Sequence, residues 1–440
     1  MVLRIEDTDP QRSAPGQEEA ILEGLRWMGL DWDEGPDVGG PHAPYRQSRR
    51  RDLYLREARR LAEAGLVYPC YCTPEELEAK KQKALAEGRP PVYDGTCREL
   101  GRQEGERLRA KGRRPALRFR VPPGDIEFTD LLHGKMSFSS RALGDFILLR
   151  SDGTAGFDLS GVVDDAAMGI THVIRGDDHL TNTARHVLLY RALGYRVPVF
   201  AHHPLLLGPD GTKLSKRHGA TSLREFREAG YLPEAVMNYL ALLSWSPEGG
   251  KEVFSPVELV GEFRLEALSR SPAIFDLHKL DWLNGQHIRR ADLNRLVELS
   301  APFAPGAAGH PLFPFMVASV RDNLRVLSEL PGLLDAYSSP APLDAESVAF
   351  LTRSTSREAL MRVREELEGR GGLDLEEARR LLAALTEDLK ALGLKAGEIL
   401  MPVRLALTGR RSGPPLPYVL FVLGKEECLR RLDNTLEQVG

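Results

Sequence analysis

The stretch THVIRGDDHLTNTARHVLLYRALGYRVPVF, residues 171–200, decides the fold of this chain. Residues 171–175 put β-branched and apolar side chains into a short strand-like run. Residues 181–193 carry apolar side chains at helical spacing and stop at Gly194. Residues 197–200 return to a strand pattern. Strand, helix, strand in that order predicts a parallel α/β sheet, because parallel neighbours need a crossover connection.

Working outward, residues 145–150 read as a buried strand closed by the turn Ser151-Asp152-Gly153, and residues 126–128 as another. The chain opens on a strand-like run at 2–5, ended by Glu6-Asp7-Thr8-Asp9-Pro10. Helical patterns at 21–28 and 52–65 stop at Gly29 and Gly65, and a polar, helix-prone stretch covers 74–87. Beyond about residue 220 the strands fade. Residues 232–244, 357–369, 374–392 and 425–437 read as amphipathic helices, with expected linkers at 301–312 and 336–345. At ~150 residues per domain, 440 residues suggest about three domains.

Hydrophobic residues at 42% and charged residues at 28% fit an ordinary globular protein, and the net charge of -4 means that any polyanion site is built locally. The N-terminus has no apolar signal core and no run approaches the ~20 residues of a membrane span, so a cytoplasmic protein without membrane contact is expected.

Lys213-Leu214-Ser215-Lys216-Arg217 follows the glycine-hinged Gly208-Pro209-Asp210-Gly211-Thr212. Three cations and a hydroxyl on a mobile loop suit a polyphosphate, and such a loop can neutralise charge on a leaving pyrophosphate. A solvated basic loop is the plainer alternative. Cys70-x-Cys72 and Cys97 crowd one region, pointing to zinc, which thiolates bind well, or to three buried thiols. Residues 98–120 hold nine Lys or Arg against three Glu, either a solvated basic face or a nucleic-acid phosphate contact. Arg46, Arg49, Arg50 and Arg51 suggest packing and ion pairs, and Asp164-Asp165 a structural cap on the turn into Met168-Gly169. Adjacent His202 and His203 diverge, so one is expected at a nucleotide site and the other in packing.

Five ordered blocks carry a resemblance. KLSKR after HHPLLLGPDGT is similar to the second signature loop of class I aminoacyl-tRNA synthetases in its glutamyl form. VLRIEDTD at 2–9, PYRQSRRRDLY at 44–54, GVVDDAAMGITHVIRGDDHLTNT at 161–183 and FDLHKLDWLNGQHIRR at 275–290 also resemble the glutamyl-tRNA synthetase family. The resemblance implies ATP-dependent attachment of glutamate to tRNA(Glu) through a glutamyl-adenylate. It implies that Glu6 holds the substrate ammonium, Arg175 pairs with the side-chain carboxylate, and Lys213, Ser215, Lys216 and Arg217 bind ATP, with Lys213 and Lys216 catalytic. A structural ion pair of Arg175 with Asp177 or Asp178 is the other reading of that residue. Mg²⁺ would accompany ATP. Zinc would take Cys70, Cys72, Cys97 and, two residues past the last cysteine, Glu99, with Tyr93 and His133 as alternatives. The basic segment would then meet tRNA acceptor-stem phosphates.

Two departures matter. The family's His-x-Gly-His signature is absent from these residues, and the expectation is that a strand-helix unit of about 35 residues precedes Met1. Phe157 and Gly161 stand where the family has a tyrosine and a polar residue in the glutamate pocket, with Asp158 and Ser160 as possible compensation.

The expected fold is α/β: a Rossmann-like, doubly wound class I catalytic domain over 1–220, with an acceptor-stem insertion at 70–145 that holds the zinc. A helical connector over 221–300 and an all-helical anticodon-binding domain over 301–440 follow. A monomer is expected. A relative that glutamylates a modified tRNA base lacks the anticodon region and is disfavoured; additional charging of the glutamine tRNA stays open. A catalytically impaired paralogue that binds tRNA or protein partners is the reading from another class.

Overall fold

The computed structural model describes residues 1–8, 16–215, 217, 222–391, 393 and 395–439. The chain divides into two compact units, Met1–Gly219 with Leu240–Phe275, and Ala220–Tyr239 with Asp276–Gly440.

In chain order, the elements of the first unit used below are α1 (Gln17–Trp27), α2 (Arg51–Glu63), β1 (Val67–Cys70), α3 (Pro74–Ala86), α4 (Arg102–Ala110), β2 (Ala116–Phe119), β3 (Asp125–Asp130), β4 (Gly134–Ser139), α5 (Ser140–Leu143), β5 (Phe146–Leu149), α6 (Phe157–Ala167), β6 (His172–Gly176), α7 (Leu180–Leu193), β7 (Val199–His203), β8 (Leu206–Leu207) and β9 (Ala273–Ile274). The main sheet has the order β4-β3-β7-β6. β6 and β7 run parallel with Arg175 opposite His202, and β3 runs parallel to β7 with Asp130 opposite Phe200. Helix α7 makes the crossover between β6 and β7, and Gly194, at φ 70°, ends it in the left-handed conformation that glycine adopts without strain.

The sheet is mixed rather than wholly parallel. Only residues 131–133 join β3 to β4, and so short a connection can close only an antiparallel hairpin. β3 buries alternate residues, Ile126, Phe128 and Asp130, as its period of two requires. A second, antiparallel sheet has the order β1-β2-β5. Residues 2–5 do not form the expected strand. Val2 bridges Glu34 and Ile5 bridges Arg46, so the run pairs with two separate segments and builds no ladder.

One core of this unit joins α2, α6 and α7 to the strands through Leu61, Phe119, Ile126, Leu148, Leu159, Val187 and Phe200. Phe200, 1% exposed, meets Phe128 and Tyr190 edge to face; truncating so buried a ring to alanine costs about 3–5 kcal/mol.

The second unit is helical. Its main helices are Leu277–Arg290, Leu293–Ser300, Phe313–Val320, Leu330–Ser338, Ser354–Glu368, Leu375–Ala391, Ala396–Thr408 and Leu416–Val439, the last broken at Gly424. Their apolar faces close a second core around Leu296, Val317, Leu360, Val403 and Leu432. The stretches expected as linkers lie inside this unit. Turns Ala301–Phe303 and Pro305–Ala308 fold 301–312, and Leu330–Ser338 reaches into 336–345.

Candidate active site

The carboxyl ends of β6 and β7 present Arg175 and His202 side by side, the position at which parallel α/β sheets bind ligands. Arg175 is half-buried. Its Nη2 donates to Thr183 Oγ1 at 2.6 Å and its Nε faces His202 Nε2 at 3.4 Å. It makes no ion pair with Asp177 or Asp178 among the described residues. Burial lowers its pKa, while Asp165, Asp158 and Glu6 lie close enough to support its charge.

Glu6 is held by Arg4. Arg4 Nη2 binds Glu6 Oε1 at 2.8 Å, and Arg4 Nη1 binds Asp165 Oδ1 at 2.8 Å. Burial acts against the Arg4 charge, but Asp165 and Glu6 outweigh it and hold the pKa above its ordinary value. Tyr190 Oη donates to Asp165 Oδ2 at 2.9 Å. Glu6 therefore stands on a braced support with its side chain 42% exposed.

Helix α6 forms one wall. Phe157, its first residue, packs its ring against His179 and His186. Gly161 is buried on the same helix, and a side chain there would meet His186 at ordinary contact distance. Ser160 turns its hydroxyl back to the Gly156 carbonyl at 3.2 Å, and Asp158 Oδ1 lies 3.1 Å from His186 Nε2. The histidine pair also separates: His202 is fully buried, and His203 Nδ1 lies 3.0 Å from the Pro204 carbonyl.

The basic loop folds towards this end of the sheet. Lys213 pairs backbone to Leu207, and its ammonium lies 3.4 Å from Asp178, three residues beyond Arg175. At 67% side-chain exposure it is a weak, screened pair that a ligand can displace. Ser215 and Arg217 are exposed, and Arg217 contacts Asp210 and Thr212 of its own loop. Lys216 lies outside the described residues.

Asp164 and Asp165 do not cap the following turn with their side chains. Asp164, fully buried, accepts from Gln47, Arg50 and Tyr54 at 3.0, 2.6 and 2.7 Å. Of the neighbouring arginines, Arg46 binds Glu18 and Arg51 reaches the Asp152 carbonyl.

A separate cluster joins β1 to the segment before α4. The sulfurs of Cys70, Cys72 and Cys97 all lie within 4.8 Å of one another. Cys72 and Cys97 sulfurs are 3.7 Å apart, and Tyr93 Oη lies 3.5 Å from Cys70 Sγ and 3.7 Å from Cys72 Sγ. A tetrahedral zinc ion with ordinary bond lengths has S···S edges of about 3.8 Å and S···O edges of about 3.5 Å, so these donors can hold one with little movement. Burial, then the Cys70 and Cys97 sulfurs, push the Cys72 thiol up to about 12. Glu99 is 81% exposed and binds Arg120 at 2.7 Å, and His133 Nε2 lies 3.0 Å from the His202 carbonyl in the main sheet. Arg118, buried, sits 3.8 Å over the Tyr93 ring, a contact with no sequence signal.

Most of the basic segment has internal partners. Arg98 binds Asp145, Arg109 the Tyr71 hydroxyl and Arg113 Glu76 through two bonds. Arg102 and Arg107 on α4 stay 92% and 76% exposed in pairs with Glu106 and Glu104.

Residues missed from sequence are Asp130 and Thr183. Both are buried polar groups that bear on Arg175 through His202 or directly. Asp130 falls on the buried face of the alternating strand β3, and Thr183 on the buried face of α7, and neither position carries a local signal of its partner.

Comparison with known proteins accounts for the whole chain. Residues 1–282 match the family described as tRNA synthetases class I (E and Q), catalytic domain, and residues 280–436 match an anticodon binding domain. The glutamate--tRNA ligase of Carboxydothermus hydrogenoformans is 44% identical over 98% of this chain and 92% of its own length. That of Natranaerobius thermophilus is 42% identical over 100% and 92%. The crystal structure of a glutamate tRNA ligase from Elizabethkingia meningosepticum in complex with its amino acid superposes with a TM-score of 0.88 at 31% identity, covering 100% of this chain and 93% of that one. The chain belongs to the class I tRNA synthetases of the E and Q group.

Proposed function

We propose that this protein attaches glutamate to tRNA(Glu) at the expense of ATP. In the first step a glutamate α-carboxylate oxygen attacks the α-phosphorus of ATP. The bond to the β-phosphate breaks, leaving glutamyl-adenylate and pyrophosphate. In the second, a terminal ribose hydroxyl of tRNA attacks the acyl carbon, its proton is lost, and AMP leaves. Neither step needs a protein nucleophile, so positioning and charge stabilisation supply the rate.

The observation that carries this reading is Arg175, whose guanidinium has a free Nη1 among the described residues and lies near Glu6. A planar fork suits the side-chain carboxylate of glutamate, and a carboxylate across the pocket suits its ammonium. Phe157 and Gly161 would leave the pocket wall without hydroxyl or amide, so recognition rests on those two charges. Lys213, Ser215, Lys216 and Arg217 would bind the phosphates, with Lys213 and Lys216 neutralising charge on the departing pyrophosphate. Mg²⁺ would accompany ATP.

Zinc would be held by Cys70, Cys72 and Cys97 with the Tyr93 oxygen in preference to Glu99, whose carboxylate faces solvent and Arg120. Bound there, it would tie β1 to the loop before α4. The exposed cations Arg102, Arg107, Lys111 and Arg114 would then be available for acceptor-stem phosphates.

The test is glutamate-dependent ATP–pyrophosphate exchange, followed by charging of tRNA(Glu), by the protein produced from its own gene with a C-terminal tag. Exchange that needs glutamate and is not supported by glutamine is expected. Tight tRNA binding with no exchange for any amino acid overturns the reading.

A further inference from the structure

Arg175 is held by acceptors that carry no charge. Its Nη2 donates to Thr183 Oγ1 at 2.6 Å and its Nε faces His202 Nε2 at 3.4 Å. Behind them Thr183 Oγ1 and His202 Nε2 are 2.8 Å apart, and His202 Nδ1 is 2.6 Å from Asp130 Oδ2. Asp130 Oδ1 accepts the backbone N–H groups of Leu132 and His133, each at 2.9 Å. Asp130, Thr183 and His202 are at most 1% exposed.

The hydrogen-bond chain favours one arrangement of its protons. Asp130, with two backbone donors on one oxygen, is an ionised acceptor, so His202 carries its proton on Nδ1. His202 Nε2 is then an acceptor whose one lone pair takes the Thr183 hydroxyl proton at 2.8 Å and is shared, at the longer 3.4 Å, with Arg175 Nε–H. That leaves the Thr183 oxygen lone pairs for Arg175. The His179 carbonyl, 3.2 Å from the same hydroxyl, is the longer alternative acceptor. The groups facing His202 from the surrounding elements are Asp130 and His133 from the β3–β4 hairpin, Arg175 from β6 and Thr183 from α7. Burial keeps its imidazole neutral with Arg175 and His133 adding to the effect, against the pull of Asp130.

We propose that Asp130, His202 and Thr183 are positioning residues that lock the guanidinium of Arg175 through neutral acceptors, leaving its charge and its Nη1 edge for the substrate carboxylate, and that this arrangement sets the preference for glutamate over glutamine. It rests on the reading of Arg175 as the residue that meets the substrate side chain. The physical reason is charge accounting. An arginine held by a carboxylate is already neutralised and tolerates an amide ligand. One held by a hydroxyl and a neutral imidazole, with the nearby carboxylates of Asp165, Asp158 and Glu6 making no hydrogen bond to it among the described residues, keeps a charge and a donor edge that an anion satisfies better than an amide does. The strand register serves the same end, because Arg175 and His202 are direct partners across β6 and β7. Supports built on strands and a helix hold geometry better than loop residues do.

The experiment measures amino-acid-dependent ATP–pyrophosphate exchange for glutamate and glutamine, using the protein produced from its own gene. Thr183→Val keeps the shape and removes the hydroxyl. It is expected to raise the KM for glutamate roughly ten- to a hundredfold, the loss of one hydrogen bond to a charged group, with the KM for ATP changing less than about twofold. Thr183→Ser is expected to restore the wild-type KM. Asp130→Asn presents an amide to His202 Nδ1 and favours the opposite tautomer, so that Nε2–H points at Arg175. The ratio of kcat/KM for glutamate over glutamine is expected to fall at least roughly tenfold in this variant, with the His202 nitrogen-15 shifts reporting the exchanged tautomer. A structural role alone would lower the melting temperature and leave that ratio intact. Folded Thr183→Val and Asp130→Asn proteins with wild-type KM and wild-type discrimination overturn the proposal. A wild-type protein without glutamate-dependent exchange overturns the parent reading of Arg175 instead, so the two failures are distinct.

Discussion

Arg50 Nε lies 2.6 Å from Asp164 Oδ1, and both side chains are sealed from water, at 4% and 0% exposure. The pair ties the residue at the N-terminal cap of α2 to α6, the wall of the candidate pocket. Gln47 and Tyr54 take the remaining carboxylate oxygen, and two carbonyls, of His42 and Pro44, take Arg50 Nη1. Removing one partner strands the other charge in the interior, which costs about 3–5 kcal/mol. Asp164→Ala is therefore expected to lower the melting temperature of the first unit by roughly 6–20 °C. Scanning calorimetry measures it. Arg50→Met combined with Asp164→Leu is expected to lose less than Asp164→Ala alone, since no charge is then left unpaired. A melting point unchanged in Asp164→Ala would contradict the buried pair.

Arg175→Lys tests the fork rather than the charge. Lysine keeps the positive charge but has no planar pair of donors and cannot reach Thr183 and a ligand together. Truncating a partner of a desolvated charge pair costs about 2–5 kcal/mol, so kcat/KM for glutamate is expected to fall roughly 30-fold or more, mainly through KM. Steady-state exchange assays read the split; an unchanged KM would remove Arg175 from the pocket.

Tyr93 and Glu99 offer rival fourth donors to the cysteine cluster, and their variants separate them. Tyr93→Phe is expected to weaken zinc binding by at least roughly tenfold, the low end of the effect of losing even an outer partner. Glu99→Ala is expected to leave zinc content unchanged, because it removes only the pairs that its exposed carboxylate makes with Arg120 and Arg98. Chelator competition and metal analysis of the purified proteins decide between them, and the reverse order of effects would assign the site to Glu99.

The sequence made some of this legible and hid the rest for identifiable reasons. β6, α7 and β7 could be read because their period changes from strand to helix and back, and Gly194 marks the stop. Residues 2–5 misled because strand propensity names no partner, and their two bridges go to different segments. Asp164 read as a local turn cap, whereas its side-chain partners lie 110 to 117 positions away. Asp130 lies 72 positions from His202, and nothing local distinguishes it from any aspartate closing a strand. Tyr93 could be named as a donor only beside Glu99, since spacing alone does not show which side chain faces the sulfurs.

Acid is expected to destabilise the protein from about pH 6.5 downward, because two imidazoles are buried neutral. Burial lowers the pKa of His202, helped by Arg175 and His133 and opposed by Asp130. Burial likewise lowers His287, with Glu234 opposing and Arg290 and Arg295 assisting; its Nε2 lies 3.0 Å from Asn238 Oδ1. In the unfolded chain each imidazole takes up a proton near its ordinary value of 6.5. Between that value and the depressed folded one, the unfolded state binds more protons. Stability is thus complete above pH 6.5 and declines as the pH falls, by up to about 1.4 kcal/mol per pH unit for each group. Asp130 and Glu234, both held below their ordinary values of 3.8 and 4.5 despite burial, extend the loss at lower pH through the same sign. Calorimetry from pH 7.5 to pH 5 is expected to show a falling transition temperature in both units. His287→Gln, which keeps a polar partner for Asn238, is expected to flatten the slope of the second unit alone. A slope in wild type that survives unchanged in that variant would mean that the His287 imidazole is not the group that takes up the proton on unfolding.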